Sequence, residues 1–124
     1  NAPLVVGSCL PNERHEIPMQ ILLVQCMLRG YRTLMLGPAP APTAIESTVS
    51  LASPAIVLLT GSTHAVWEDN GEALRALDAF AKTMPHVKFF IGGAGVKEMV
   101  QQFELEAIQE AHSLHEVFSQ TEKV

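Results

Sequence analysis

The chain has 124 residues, 48% of them hydrophobic, and a formal net charge of -5 at pH 7; that is enough for one compact domain and too little for two. An acidic chain with scattered Lys and Arg repels a phosphate backbone, which makes this segment alone a poor nucleic-acid binder. No apolar run reaches the ~20 residues of a membrane span and no signal peptide opens the chain. The two cysteines, Cys9 and Cys26, make no disulfide framework, so a cytoplasmic setting is expected.

Asn1-Ala2 precede the first strand directly and are read as a tag remnant on a domain cut from a longer protein; the domain is taken as residues 3–120. The first apolar run is PLVVG (3–7). A helix is expected from Pro18, suited to a first turn, to Gly30, a natural C-cap. Its Ile17, Ile21, Val24 and Leu28 recur every three or four residues as the inward stripe, broadened by Leu22, Leu23 and Met27. RTLML (32–36) is the second strand. A second helix follows Pro42 with Ile45, Val49 and Ala52 inward and stops before Pro54. PAIVLLT (54–60) is the third strand. A third helix starts near Asn70, carries Leu74, Leu77, Phe80 and Met84, and ends before Pro85. VKFFI (87–91) is the fourth strand, followed by a helix with Val96, Met99, Val100 and Phe103. Ala107-Ile108-Gln109 form a short edge strand, and Ser113 to Gln120 a closing helix with Leu114, Val117 and Phe118.

The strand runs are continuously apolar, as strands covered on both faces of a parallel sheet are. Strand–helix alternation over this length predicts an α/β, doubly wound, Rossmann-like (flavodoxin-like) five-stranded parallel sheet with helices on both faces. Such sheets bind ligands at the carboxyl ends of their strands. Four segments fall there: GSCLPNERH, GPAPAP, TGSTHAVW and GGAG. Each carries a glycine, which lets backbone approach a ligand closely, although tight βα turns favour glycine for their own sake.

The first of these segments holds Glu13, Arg14, His15 and Glu16. An exposed loop histidine is most often an ordinary surface residue. Against that stand its place at a ligand-binding edge and the carboxylate of Glu13 two residues away, since a metal-bound imidazole usually gives its second N–H to such a group. One histidine makes no structural zinc site, which wants about four ligands. His64, His86, His112 and His115 share no spacing with His15, and Cys9, expected in the same loop, adds little. A single protein ligand makes sense where a macrocycle already holds the metal.

These features together resemble the cobalamin-binding domain. That family carries D/E-x-H-x-x-G after strand one, S-x-L after strand three and G-G after strand four. The corresponding residues here are Glu13-x-His15-x-x-Pro18, Thr60-Gly61-Ser62 and Gly92-Gly93, the latter followed by Ala94. NERHEIP (12–18) and LGPAPAP (36–42) are most similar to the C-terminal domains of MerR-type, light- or cobalamin-sensing transcriptional regulators. The resemblance spans nearly all of residues 3–118 and is carried mainly by E-R-H-E with L-G-P.

The resemblance implies a cobalamin cofactor, as adenosyl- or methylcobalamin, held base-off. His15 would be the lower axial ligand to cobalt, oriented by Glu13 beside Arg14. Thr60 would bond the displaced nucleotide tail, and Gly92 and Gly93 would give it room next to Ala94. It further implies a homo-oligomeric sensor that is not itself an enzyme and reaches DNA only through an N-terminal helix-turn-helix lying outside these residues. The chain departs from the family at Pro18, in place of glycine, at Ser62, in place of leucine, and at Thr60, in place of serine. The same domain serves corrinoid-carrying subunits of methyltransferase and mutase systems, and a degenerate version would serve as an oligomerisation scaffold.

Other α/β readings fit less well. A phosphoryl-accepting receiver needs an aspartate where Thr60 stands. A flavodoxin needs its hydroxyl-rich phosphate loop after strand one, whereas TGST (60–63) follows strand three. No Ser-His-Asp set or paired carboxylates suggest intrinsic catalysis.

Overall fold

In the computed structural model, which describes residues 2–9, 17–36, 42–61, 71–93 and 96–121, the apolar runs are strands and the periodic segments are helices. The strands are β1 (Leu4–Cys9), β2 (Arg32–Met35), β3 (Ile56–Thr60), β4 (Lys88–Gly92) and β5 (Ile108–Glu110). The helices are α1 (Ile17–Leu28), α2 (Pro42–Ala52), α3 (Gly71–Lys82), α4 (Val96–Gln102) and α5 (Leu114–Thr121). All five strands pair in parallel, in the order β2-β1-β3-β4-β5. The doubly wound α/β sheet expected from the alternation is therefore present.

Strand pleat sorts the side chains into two cores. Val6, Val57, Leu59, Phe89, Ile91 and Ile108 face one side, under Ile45 and Val49 of α2, Leu74 and Leu77 of α3 and Met99 of α4. Val5, Cys9, Ile56, Leu58 and Phe90 face the other, under Met19, Leu23 and Cys26 of α1 and Val117 and Phe118 of α5. Burial on both faces explains why the strands read as unbroken apolar runs rather than alternating ones.

Two corrections concern the first βα unit. β1 continues two residues beyond the apolar run, so Cys9, expected in the loop, lies on the strand and is buried. Helix α1 is rotated relative to its expected stripe. Met19, Leu23 and Cys26 are buried, whereas Ile21, Val24, Met27 and Leu28 are 54%, 49%, 50% and 83% exposed. A helix apolar on most sides offers two stripes of equal period, and spacing alone does not choose between them. Gly7 chooses: a Cβ there would lie 2.6 Å from Met19 Sδ and 3.0 Å from Leu23 Cδ2, so the bare strand admits these residues and not their neighbours.

Gly30 ends α1 as expected, with φ of 103°. Its N–H donates to Met27 O at 3.0 Å and the Tyr31 N–H donates to Cys26 O at 3.1 Å, the paired bonds of a Schellman cap. The Tyr31 ring then stacks on Phe118 at 5.5 Å, and Arg29 lies over the same ring at 4.8 Å. These contacts pin α5 beside the end of α1. At the start of α5, Ser113 Oγ accepts the Glu116 N–H at 3.3 Å and Glu116 Oε2 accepts the His112 N–H at 2.7 Å. Together they form a capping box shifted by one residue.

α3 ends at Lys82, short of Met84. Its buried Asp78, which the apolar stripe conceals, accepts N–H bonds from Glu106, Ala107 and Ile108, the last two at 2.8 and 2.9 Å. One carboxylate thus supplies acceptors where β5 begins and has no strand partner to offer them.

Candidate functional site at the carboxyl end of the sheet

In this strand order the chain winds outward in both directions from β1 and β3. The crevice between their carboxyl ends is the place where such sheets take ligands. Strand register puts three residues in one row across it: Cys9 on β1 pairs with Thr60 on β3, and Thr60 with Gly92 on β4. The inward face of this row belongs to the α1/α5 core, because Val5, Ile56, Leu58 and Phe90 precede these residues by even steps.

Thr60 is half-buried, and its Oγ1 lies 3.8 Å from Cys9 Sγ. Sulfur is a weak acceptor, so a stronger acceptor arriving in the crevice would take this hydroxyl at little cost. Gly61 is buried and its N–H reaches Gly92 O at 3.3 Å, tying the ends of β3 and β4. Gly92 is half-buried; a Cβ there would lie 3.0 Å from Ala111 O, a tight contact with the chain leaving β5 that glycine avoids. Gly93 is exposed with φ of 129°, a conformation that side chains resist. Its carbonyl accepts the Val96 N–H at 3.3 Å as α4 begins.

Thus Thr60, Gly61, Gly92 and Gly93 gather at the carboxyl ends of two adjacent strands. Pro18 is the second residue of α1, compatible with a first turn. Glu13, Arg14 and His15 fall in the connection from Cys9 to Ile17, which the chain order attaches to the same end of the sheet; they, Ser62 and Ala94 lie outside the described residues. Among the described residues, no three His, Cys, Asp or Glu side chains come together as a metal site. At the end of β5, Glu110 Oε2 is buried without a hydrogen bond, 3.7 Å from His112 Nε2.

Sequence reasoning put Cys9 at this end of the sheet but in the loop rather than on β1, because the polar Ser8 closes the apolar run. The signal was the two-residue step from Val5 through Gly7 to Cys9.

The described residues leave room at the carboxyl ends of β3 and β4 for a ligand to approach backbone closely. Among the described residues the Thr60 hydroxyl meets the Cys9 sulfur alone, and side-chain-free backbone at positions 92 and 93 ends the neighbouring strand.

No family model matches the chain, and no curated protein matches it in sequence. Solved structures match over most of its length. A novel cobalamin-binding protein from Desulfitobacterium hafniense DCB-2 is 21% identical, with a TM-score of 0.72, covering 90% of this chain and 53% of its own. The methanol:cobalamin methyltransferase complex MtaBC from Methanosarcina barkeri is 17% identical, with a TM-score of 0.71, covering 98% and 52%. The Methanosarcina barkeri monomethylamine corrinoid protein is 20% identical, with a TM-score of 0.72, covering 96% and 56%. The chain therefore spans about half the length of each. At these identities what is shared is the fold, and this chain has the fold of corrinoid-binding proteins.

Proposed function

We propose that the chain is a corrinoid-binding module and not itself a catalyst. The observation that carries this reading is the coincidence of fold and motif. The fold is that of three cobalamin or corrinoid proteins, Thr60-Gly61 and Gly92-Gly93 lie at the ends of β3 and β4, and E-R-H follows β1 in the chain. In this reading His15 would hold the metal, Glu13, two residues before it, would fix its tautomer, and Thr60 would take the nucleotide tail. Gly92 and Gly93 bound the tail's path, with Arg14, Pro18, Ser62 and Ala94 around it. Bound cobalamin supplies a cobalt that carries an alkyl group; the residues named here bind and orient it.

One of the structural neighbours is a methyltransferase complex by its own description, and another is a monomethylamine corrinoid protein. This favours a carrier that presents the cofactor to a partner protein. The wording NERHEIP and LGPAPAP supports a second reading, a regulator's sensor domain that oligomerises and reaches DNA through a helix-turn-helix elsewhere.

The test of the module is direct: mix the purified chain with hydroxocobalamin, desalt, and measure cobalt against protein. Equimolar co-elution is expected, whereas a colourless protein leaves a scaffold. The residues that adjoin this segment in its gene, or a methyltransferase encoded beside it, separate carrier from regulator.

A further inference from the structure

The rotation of α1 leaves an apolar surface that the fold does not use. Ile21, Val24, Met27 and Leu28 lie on one side of the helix, each about half or more exposed, with Gln20 and Gln25 between them. Over residues 17–28 there is not one charged side chain, while each of the other four described helices carries at least one. Contiguous apolar surface of a few hundred Å² marks an interaction site. A surface helix ordinarily turns charge outward.

We propose that this face, together with the open edge of β2, is a two-fold interface with a second copy of this chain. Charge argues for a copy of itself. A chain of formal charge -5 repels its own kind wherever acidic groups meet, and α1 is the helical face on which two copies approach with none.

Geometry argues for it too. α1 covers β1 and β2, and β2 is the terminal strand of the sheet. The Arg32 and Leu36 N–H groups donate inward to Pro3 O and Gly7 O, both at 2.9 Å. By alternation, the N–H and C=O of Thr33 and Met35 point out from the sheet edge. A two-fold axis beside this edge pairs β2 antiparallel with its copy and sets the two α1 helices against each other. One operation covers both surfaces.

Sedimentation equilibrium of the full chain, from micromolar to submillimolar concentration, tests this. The wild type is expected to reach twice the monomer mass. Val24→Glu places a charge in the apolar contact and is expected to raise the dimer dissociation constant about tenfold or more. Gln25→Glu, which removes no apolar group, is a second variant and shifts association in the same direction. Leu51→Glu, at an 88% exposed position on α2 across the sheet, leaves it unchanged. Far-UV circular dichroism confirms that each variant folds. A wild type that stays monomeric throughout, including one that binds some other polypeptide through α1, overturns the proposal. So does association that responds to Leu51→Glu and not to the α1 variants.

Discussion

Thr60 Oγ1 lies 3.8 Å from Cys9 Sγ, joining the carboxyl ends of β3 and β1 where the winding of the sheet reverses. The contact is long and its acceptor soft, so it contributes little to the fold. Thr60→Val, which keeps the shape and deletes the hydroxyl, is expected to change stability by less than about 0.5 kcal/mol. If the hydroxyl receives the nucleotide tail, the same change weakens corrinoid binding by about 1 kcal/mol, roughly fivefold. Thr60→Ser preserves affinity. Visible titration with hydroxocobalamin beside urea unfolding reads both; equal loss from both substitutions would place the effect in packing.

Gly7 and Met19 pack closely between sheet and helix: a Cβ at position 7 would lie 2.6 Å from the thioether sulfur. Gly7→Ala is expected to destabilise by about 1–3 kcal/mol through overpacking. Met19→Ala alone costs about 2–5 kcal/mol as a cavity. The double variant should lose less than the two single losses combined, because the new methyl enters the vacated space. Chemical denaturation of all four proteins gives the coupling; strict additivity would mean that these residues do not meet.

Asp78 ties α3 to the start of β5 through backbone N–H groups. Its contact with Lys82 at 3.8 Å is half-exposed on the lysine side and adds little. Asp78→Ala orphans three donors and is expected to cost about 3 kcal/mol or more. Asp78→Asn keeps an acceptor toward Ala107 and Ile108 and should cost less. Urea midpoints check the order; a Lys82→Ala loss as large as that of Asp78→Ala would show that the ion pair, not the backbone bonds, matters.

Burial pushes the Cys26 thiol up from 9.0 to about 11, since the thiolate is unwelcome against the sheet. In the native state Cys26 therefore holds its proton at pH values where the unfolded chain has released it. Its contribution is complete below about pH 9 and is lost as pH rises toward about 11, by roughly 1 kcal/mol per pH unit. Stability measured against pH should fall more steeply across that window for the wild type than for Cys26→Ala. Parallel curves would refute the assignment.

Which parts of this were legible in the sequence follows from what fixes each one. The strands and their parallel order are written in runs such as IVLLT, because a strand covered on both faces must be apolar throughout. Pro54 and Gly30 punctuate the helices by removing or permitting backbone conformations. The orientation of α1 was not legible, because IPMQILLVQCML offers two equivalent stripes and only Gly7, on a different element, selects one. Cys9 read as loop rather than strand because the polar Ser8, buried on the opposite side of the strand, closes the apolar run. Asp78 was hidden because its partners are backbone groups almost thirty residues away. Of the candidate site, the strand ends with Thr60, Gly61, Gly92 and Gly93 stand where the motif order puts them. The E-R-H segment rests on the motif and on the connection it occupies.

The most direct measurement is the visible spectrum of the chain loaded with hydroxocobalamin and desalted, compared with that of His15→Ala treated in the same way. The expected result is a wild-type spectrum distinct from free cofactor, together with a shifted spectrum and weaker retention in the variant, whose imidazole is gone. A wild type that elutes colourless, or a variant whose spectrum and retention match the wild type, would contradict cobalt ligation by His15.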